Sequence, residues 1–229
     1  MPDLQSLRPD ERRIERVWNT YVRIPLPWRG NPLQHLHWKK RRVGESHGPT
    51  HYVELQSSSH VLIDAVANQL GDADAPVLDL GCNVGRHLNA LYHRGYRQLH
   101  GVDVQSAALE YSRQAFPELA SVAQLHEGTF QTYLPTVEDR FFRVTFTHGA
   151  TVELVPPLFA LCSQVARVTE RAIVFAISET GHAYPRLWES EFLRAGFLMT
   201  GLKRPICPDN GLSLLVFERI QPNSTAVQR

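Results

Sequence analysis

Asp79, Gly81, Gly85 and Asp103 carry the most specific spacing in this 229-residue chain. Asp79 stands near the end of the apolar run 77–80, and Gly81 and Gly85 bracket Asn83 ahead of a helix expected to begin at about residue 85. Glycine tolerates backbone conformations and close approaches that a Cβ forbids, so such a turn leaves its main chain open to a ligand. About 20 residues on, Gly101-Val102-Asp103 ends a second apolar run with a carboxylate, where nucleotide-binding sheets commonly hold a ribose diol. A local use is also open to each: Asp79 can cap the turn, and Asp103 can cap the following helix. Asn83 occupies the place of a dinucleotide fingerprint's central glycine, which disfavours a tightly held pyrophosphate and suits a ligand without phosphates.

Two further residues have the chemistry of proton transfer. His148 follows the apolar run 144–147, and an imidazole titrates near neutral pH, so it is a candidate base as well as a candidate cap or solvent bridge. Glu153 is a candidate base or a helix-surface residue. His35 and His37 have no carboxylate or cysteine cluster beside them, so no metal site is expected. The run Lys39-Lys40-Arg41-Arg42 reads as a solvated face, with anionic-substrate binding as the other use.

The elements that must position these residues follow from periodicity. Apolar runs at 77–80, 98–104, 144–147 and 172–177 read as strands, alternating with helices near 85–94, 106–116, 157–168 and 184–195. That alternation predicts an α/β fold with a parallel sheet covered on both faces. Before it, a helix is expected to start at Ser57, Ser58 or Ser59 and stop at Gly71. After it, 197–202 and 212–219 predict a terminal β-hairpin across a Pro-, Asn- and Gly-rich loop. Residues 9–20 suit a short amphipathic helix, and 24–52 an irregular cap. The division expected is an N-terminal cap or lid over 1–56, a ligand-binding domain over 57–220 and a polar tail over 221–229.

The segment Val-Leu-Asp-Leu-Gly-Cys-Asn-Val-Gly-Arg-His-Leu at 77–88 resembles the first motif of class I S-adenosylmethionine-dependent methyltransferases. Separate matches follow at 95–104, at His126-Glu127-Gly128-Thr129-Phe130, at 144–148 and at 184–197, so the resemblance spans roughly residues 57 to 220. It implies a Rossmann-like fold with a seven-stranded, mostly parallel sheet, a terminal hairpin and an N-terminal helical or aromatic cap. It also implies cofactor contacts from Asp79, Gly81, Cys82, Asn83, Gly85 and Arg86, from Asp103 and Val104, from Gly128, Thr129 and Phe130, and from Thr147 and His148. In that assignment Asp79 lies near the methionine amine, Asp103 holds the ribose hydroxyls, and Thr147 and His148 border the sulfonium. Thr129 stands where many relatives place an adenine-binding Asp, and Phe130 can add stacking.

Two departures bear on the reaction. Many small-molecule methyltransferases of this type carry a Glu-His pair after the fourth strand, whereas Glu153 is followed by Leu154; Arg143 replaces a frequent Asp. The N-terminal rings Trp18, Tyr21, Trp28, Trp38 and Tyr52 suit a lid, and Tyr21 and Trp28 are catalytic candidates because aromatic faces stabilise a sulfonium, although packing is their other use. Methyl transfer to a small acceptor, as in bacterial secondary metabolism, is therefore one reading. Another uses S-adenosylmethionine itself as substrate, as in enzymes of peptide natural-product pathways that cyclise it to azetidine-2-carboxylate and methylthioadenosine. The third is a non-catalytic cofactor-binding or interaction subunit.

Composition narrows the partners. Lys plus Arg number 24 against 23 Asp plus Glu, so no overall field favours nucleic acid or a membrane surface, and a small molecule is the expected partner. At 43% hydrophobic the chain can bury one sizeable core. Three scattered cysteines without a Cys-x-x-Cys pair, no secretory signal and no apolar span of membrane length point to the cytoplasm.

Overall fold

The computed structural model describes residues 48–149, 151–179, 184, 186–208 and 210–221, together with Ile14, Val17 and Gly44. Ile14 and Val17 have helical backbone, and the remainder of the expected 9–20 helix lies outside the described residues, as do Tyr21, Trp28 and the run 39–42.

Every expected apolar run forms a strand: β1 (Val77–Leu80), β2 (Leu99–Asp103), β4 (Phe142–His148) and β5 (Thr169–Ile177), with β3 (Gln124–Glu127) between them and the hairpin β6 (Phe197–Lys203) and β7 (Ser213–Arg219) at the end. The order across the sheet is β3-β2-β1-β4-β5-β7-β6. The first five neighbours run parallel, β7 lies antiparallel to β5, and β6 antiparallel to β7. This is the expected α/β, Rossmann-like methyltransferase fold with its seven-stranded, mostly parallel sheet. The strand order turns back between β1 and β4, and that switch leaves a crevice beyond the carboxyl ends of the strands.

Helices fill both faces: α1 (Ser57–Leu70), α2 (Arg86–His93), α3 (Ser106–Ala115), α4 (Pro117–Ala120), α5 (Phe130–Tyr133), α6 (Leu161–Val168) and α7 (Trp188–Arg194). Because side chains alternate along a strand, Val77, Val144, Phe146, Val174 and Ala176 meet Leu62, Ile63 and Val66 of α1 and Leu88 and Leu91 of α2. Leu78, Leu80, Ile173 and Phe175 meet Val165 of α6 and Trp188 and Phe192 of α7 on the other face. Each such fully buried side chain is worth about 1.5–3 kcal/mol. The same alternation puts Asp79 and His148 on the α1/α2 face and Thr147 on the opposite one.

Two expectations are corrected, and one strand, β3, lies outside the expected runs. The serines do not cap α1: Gln56 is its N-cap, and Ser57, Ser58 and Ser59 lie in the first turn, where Ser59 Oγ accepts the Gln56 N–H at 3.3 Å. The helix expected from 157 starts at Leu161, since Pro156 and Pro157 leave the approach in turns. The edge strand β3 carries no fully buried position, so its sequence lacks the apolar run of the central strands. Among the described residues no helix is long and apolar enough to cross a membrane. Cys82, Cys162 and Cys207 are buried free thiols.

Candidate active site

The loop leaving β1 turns on left-handed backbone at Gly81 (φ 77°), Asn83 (φ 50°) and Gly85 (φ 80°). Gly81 and Cys82 N–H groups both donate to Val102 O, at 2.8 and 3.2 Å, tying the loop to β2. Close packing beneath it explains a glycine that motif spacing does not single out: a Cβ at Gly101 would stand 2.7 Å from Cys82 Sγ. Asn83 tolerates its conformation through local bonds, its Oδ1 accepting the Val84 N–H at 3.0 Å and its Nδ2 donating to Gln105 Oε1 at 3.0 Å.

Asp103 fastens this loop to the start of α3. Its Oδ2 accepts the Asn83 N–H at 2.9 Å and its Oδ1 the Gln105 N–H at 2.9 Å. Burial lifts its pKa to about 6, with those two N–H groups pulling it back. Each oxygen has taken one hydrogen, and a carboxylate oxygen accepts two, so a diol's two hydroxyls remain within its capacity.

Behind the loop, on the α1/α2 face, lies a polar cluster in an otherwise apolar layer. Asp79 is 1% exposed, and neither carboxyl oxygen has a hydrogen-bond partner. Burial raises its pKa to about 8, opposed by the charge of Arg86. His87 of α2 presents Nε2 to Ser59 Oγ at 3.1 Å and Nδ1 toward Asp79. Its ring lies 4.9 Å from that of His148. His148 Nε2 meets Ser58 Oγ at 2.9 Å, and Asn210, from the β6–β7 connection, donates to the same hydroxyl at 3.0 Å. Burial holds both imidazoles far below their ordinary pKa, with Arg86 adding to the effect.

A cavity of about 420 Å³ opens in front of these groups. Its walls include Gly81, Cys82 and Asn83, Arg86 and His87, Asp103 with Val104, Thr129 with Phe130, and His148. Gln131 and the apolar Leu154, Val155, Pro156 and Leu212 complete much of the rest. Arg86 is 5% exposed; its Nη1 donates to Glu54 O at 2.8 Å, and its guanidinium lies 5.6 Å from the Tyr52 ring centre. At the other end Thr129 caps α5, its Oγ1 accepting the Thr132 N–H at 3.2 Å.

Most sequence-derived candidates therefore share one cavity, but four stand behind its walls. Asp79 lies under His87; Gly85 is buried at the start of α2; Gly128 donates its N–H to Asp103 O at 2.9 Å; Thr147 donates its hydroxyl to Leu80 O at 2.7 Å. Glu153 is fully buried and does not line the cavity, its carbonyl accepting the Tyr184 N–H at 2.9 Å. Tyr21 and Trp28 lie outside the described residues. Sequence reasoning missed His87, Ser58, Ser59, Gln105 and Asn210. Only His87 had a visible signal, adjacent to the glycine loop on a helix facing a strand end. Among the described residues no His, Cys, Asp and Glu group could hold a metal ion.

The spare capacity of Asp103, beside the 81–83 loop that lines the cavity, fits a ligand with a diol. Residues 77–171 match a family model described as a methyltransferase domain. No curated protein matches the chain. Among solved structures, a TehB-like SAM-dependent methyltransferase from Corynebacterium glutamicum is 17% identical, over 73% of this chain and 89% of its own, with a TM-score of 0.56. Magnesium protoporphyrin IX methyltransferase (ChlM) from Synechocystis, with bound SAH, is 14% identical over 75% and 92% of the two chains, TM-score 0.57. The [4+2]-cyclase SpnF is 12% identical over 70% and 80%, TM-score 0.57.

Proposed function

We propose that this chain is a class I S-adenosylmethionine-dependent methyltransferase, with S-adenosylmethionine as its cofactor and a small molecule as its methyl acceptor; the methyltransferase-domain match over 77–171 and the shared fold support this reading. The observation that carries this reading is the single cavity at the β1, β2 and β4 ends, which joins Asp103, the 81–83 backbone and His148 in about 420 Å³. That volume lies toward the small end for small-molecule sites.

When bound, the cofactor supplies a methyl group activated by its sulfonium. Asp103 would hold the ribose diol, the 81–83 backbone would line the methionine end, and Phe130 would cover a face of the adenine. Leu154, Val155, Pro156 and Leu212 would keep water from the reacting atoms, and positioning in a dry cleft supplies much of the acceleration such a transfer needs.

The test is incubation of the purified protein with isotopically labelled cofactor and a panel of small acceptors, with mass spectrometry of the products. Labelled methyl in an acceptor supports the proposal. Methylthioadenosine and a cyclic amino acid formed from the cofactor alone would replace transfer with cyclisation. Calorimetric binding without turnover of any kind would leave a non-catalytic cofactor-binding subunit.

A further inference from the structure

Two neighbouring serines of α1 each hold one histidine, and the hydrogen count of the outer pair is decided by its surroundings. The Leu212 N–H donates to Asn210 Oδ1 at 2.7 Å, which fixes the side-chain amide and turns Nδ2 toward Ser58 Oγ, 3.0 Å away. An amide nitrogen only donates. Ser58 is fully buried and His148 Nε2, at 2.9 Å, is the one acceptor its hydroxyl meets among the described residues, so its oxygen accepts from Asn210 and its single hydrogen goes to that nitrogen. Nε2 is thereby an acceptor, and the proton of the neutral ring sits on Nδ1.

The cavity side of His148 has a second donor nearby. Arg86 is buried and lines the same cavity, and only one of its N–H groups, the one on Glu54 O, meets an acceptor among the described residues. The other group facing His148 from α2 is His87, held by Ser59, whose oxygen accepts the Gln56 N–H and whose hydrogen is left for His87 Nε2. This wall of the cavity therefore offers N–H donors and one positive charge.

The geometry points to His148 as a hydrogen-bond donor, locked as its Nδ1–H tautomer by Ser58 and Asn210 acting as positioning residues, and joined by Arg86 in a subsite for a carboxylate. This deepens the methyltransferase reading, and its ligand half rests on it. His148 then orients an oxygen that arrives unprotonated; it does not remove a proton from an alcohol. The low affinity of this buried imidazole for a proton agrees with the donor role. The carboxylate can belong to the cofactor's methionine or to the acceptor.

The test is long-range 1H–15N NMR of the 15N-histidine-labelled full chain without ligands, from pH 6 to 8. The expected His148 signal is a neutral Nδ1–H ring; a neutral Nε2–H ring or an imidazolium in that range would overturn the proposal. In Asn210→Asp one carboxylate oxygen keeps the Leu212 N–H, while the other can only accept, so Ser58 turns its hydrogen away and His148 flips to Nε2–H. An unchanged tautomer would overturn the relay. Should that variant not fold, Ser58→Ala is expected to release the ring to a mixture of tautomers, and an unmixed Nδ1–H signal would likewise overturn it.

For the ligand half, S-adenosylhomocysteine is compared with methylthioadenosine, which lacks the carboxylate. Movement of the His148 Nδ1–H resonance with the first alone assigns the subsite to the cofactor, and movement only on adding benzoate assigns it to the acceptor. No movement with any of these once calorimetry shows them bound overturns the carboxylate subsite. Absence of S-adenosylhomocysteine binding sinks the functional reading itself and leaves the tautomer result standing.

Discussion

His87 Nδ1 stands 3.6 Å from Asp79 Oδ2, a pair buried in the layer between β1 and α2 and too far apart for a hydrogen bond. Burial acts on both partners in the direction of neutrality, raising the carboxyl to about 8 and pushing the imidazole well below its usual range. Near neutral pH the interior therefore holds a carboxylic acid beside a neutral ring, not an ion pair. A buried ionised carboxyl without a partner is costly, and keeping the proton is the smaller cost.

That state predicts a pH dependence of stability. The folded pKa of Asp79 is above the ordinary aspartate value of 3.8, so the folded state binds the extra proton between 3.8 and about 8, and its contribution is lost as pH rises through that window. Each unit of pH costs about 1.4 kcal/mol there. Asp79→Asn should remove the decline and be more stable than the native chain by about 2–4 kcal/mol at pH 8, after allowing for an amide left unbonded. Urea midpoints at pH 6 and pH 8 check this; parallel profiles for the two proteins would refute it.

Arg86 pulls the Asp79 carboxyl down and pushes His148 down, so one substitution should move both in known directions. Arg86→Met is expected to extend the alkaline loss of stability above pH 8, because the carboxyl keeps its proton longer. It should also ease protonation of His148, whose depressed folded pKa makes its contribution fall as pH drops below 6.5. Urea denaturation of the variant from pH 5 to 9 reads both limbs. An unchanged alkaline limb would separate Arg86 from Asp79.

How much of this was legible beforehand depended on chain distance and periodicity. β1, β2 and β5 announced themselves because their central positions are buried on both faces, whereas β3 at the sheet edge has polar residues and no such pattern. Asp103 was found because a strand end and a glycine loop are adjacent in a βαβ unit. Asn210 and Ser58, 152 residues apart, meet only because β7 folds back beside β5. A Pro-Asp-Asn-Gly loop shows a turn but not the serine at its far side. Ser58 and Ser59 looked like caps, since serine types are good caps and nothing local reveals a histidine waiting across the layer.

Asp103 should control cofactor affinity. Asp103→Ala removes the diol acceptor and the bonds from Asn83 and Gln105 N–H, so calorimetry should show affinity for S-adenosylhomocysteine falling at least about tenfold, a charged hydrogen bond being worth roughly 1.5–3 kcal/mol. Asp103→Asn keeps one acceptor and should lie between. Because its folded pKa is about 6, native affinity should also weaken as pH falls through that value. Equal affinity at pH 5 and pH 7.5 would count against an ionised Asp103 as the acceptor.

Thr129 allows a gain to be predicted instead of a loss. Its hydroxyl is committed to the α5 cap, accepting the Thr132 N–H and contacting Thr132 Oγ1 at 3.2 Å, although the residue itself lines the cavity. Asp is an equally good cap and brings a second oxygen, so Thr129→Asp can hold the helix with one oxygen and offer the other to an adenine amino group. Its expected effect is a several-fold rise in affinity for S-adenosylhomocysteine with stability held within about 0.5 kcal/mol, the range of a substitution that keeps its cap. Thr129→Val should instead cost about 1 kcal/mol by losing the cap, with little change in affinity, because the hydroxyl serves the helix. Calorimetry and urea denaturation on the two variants separate these outcomes: a loss of affinity in Thr129→Val equal to the gain in Thr129→Asp would mean that the threonine hydroxyl already serves the ligand.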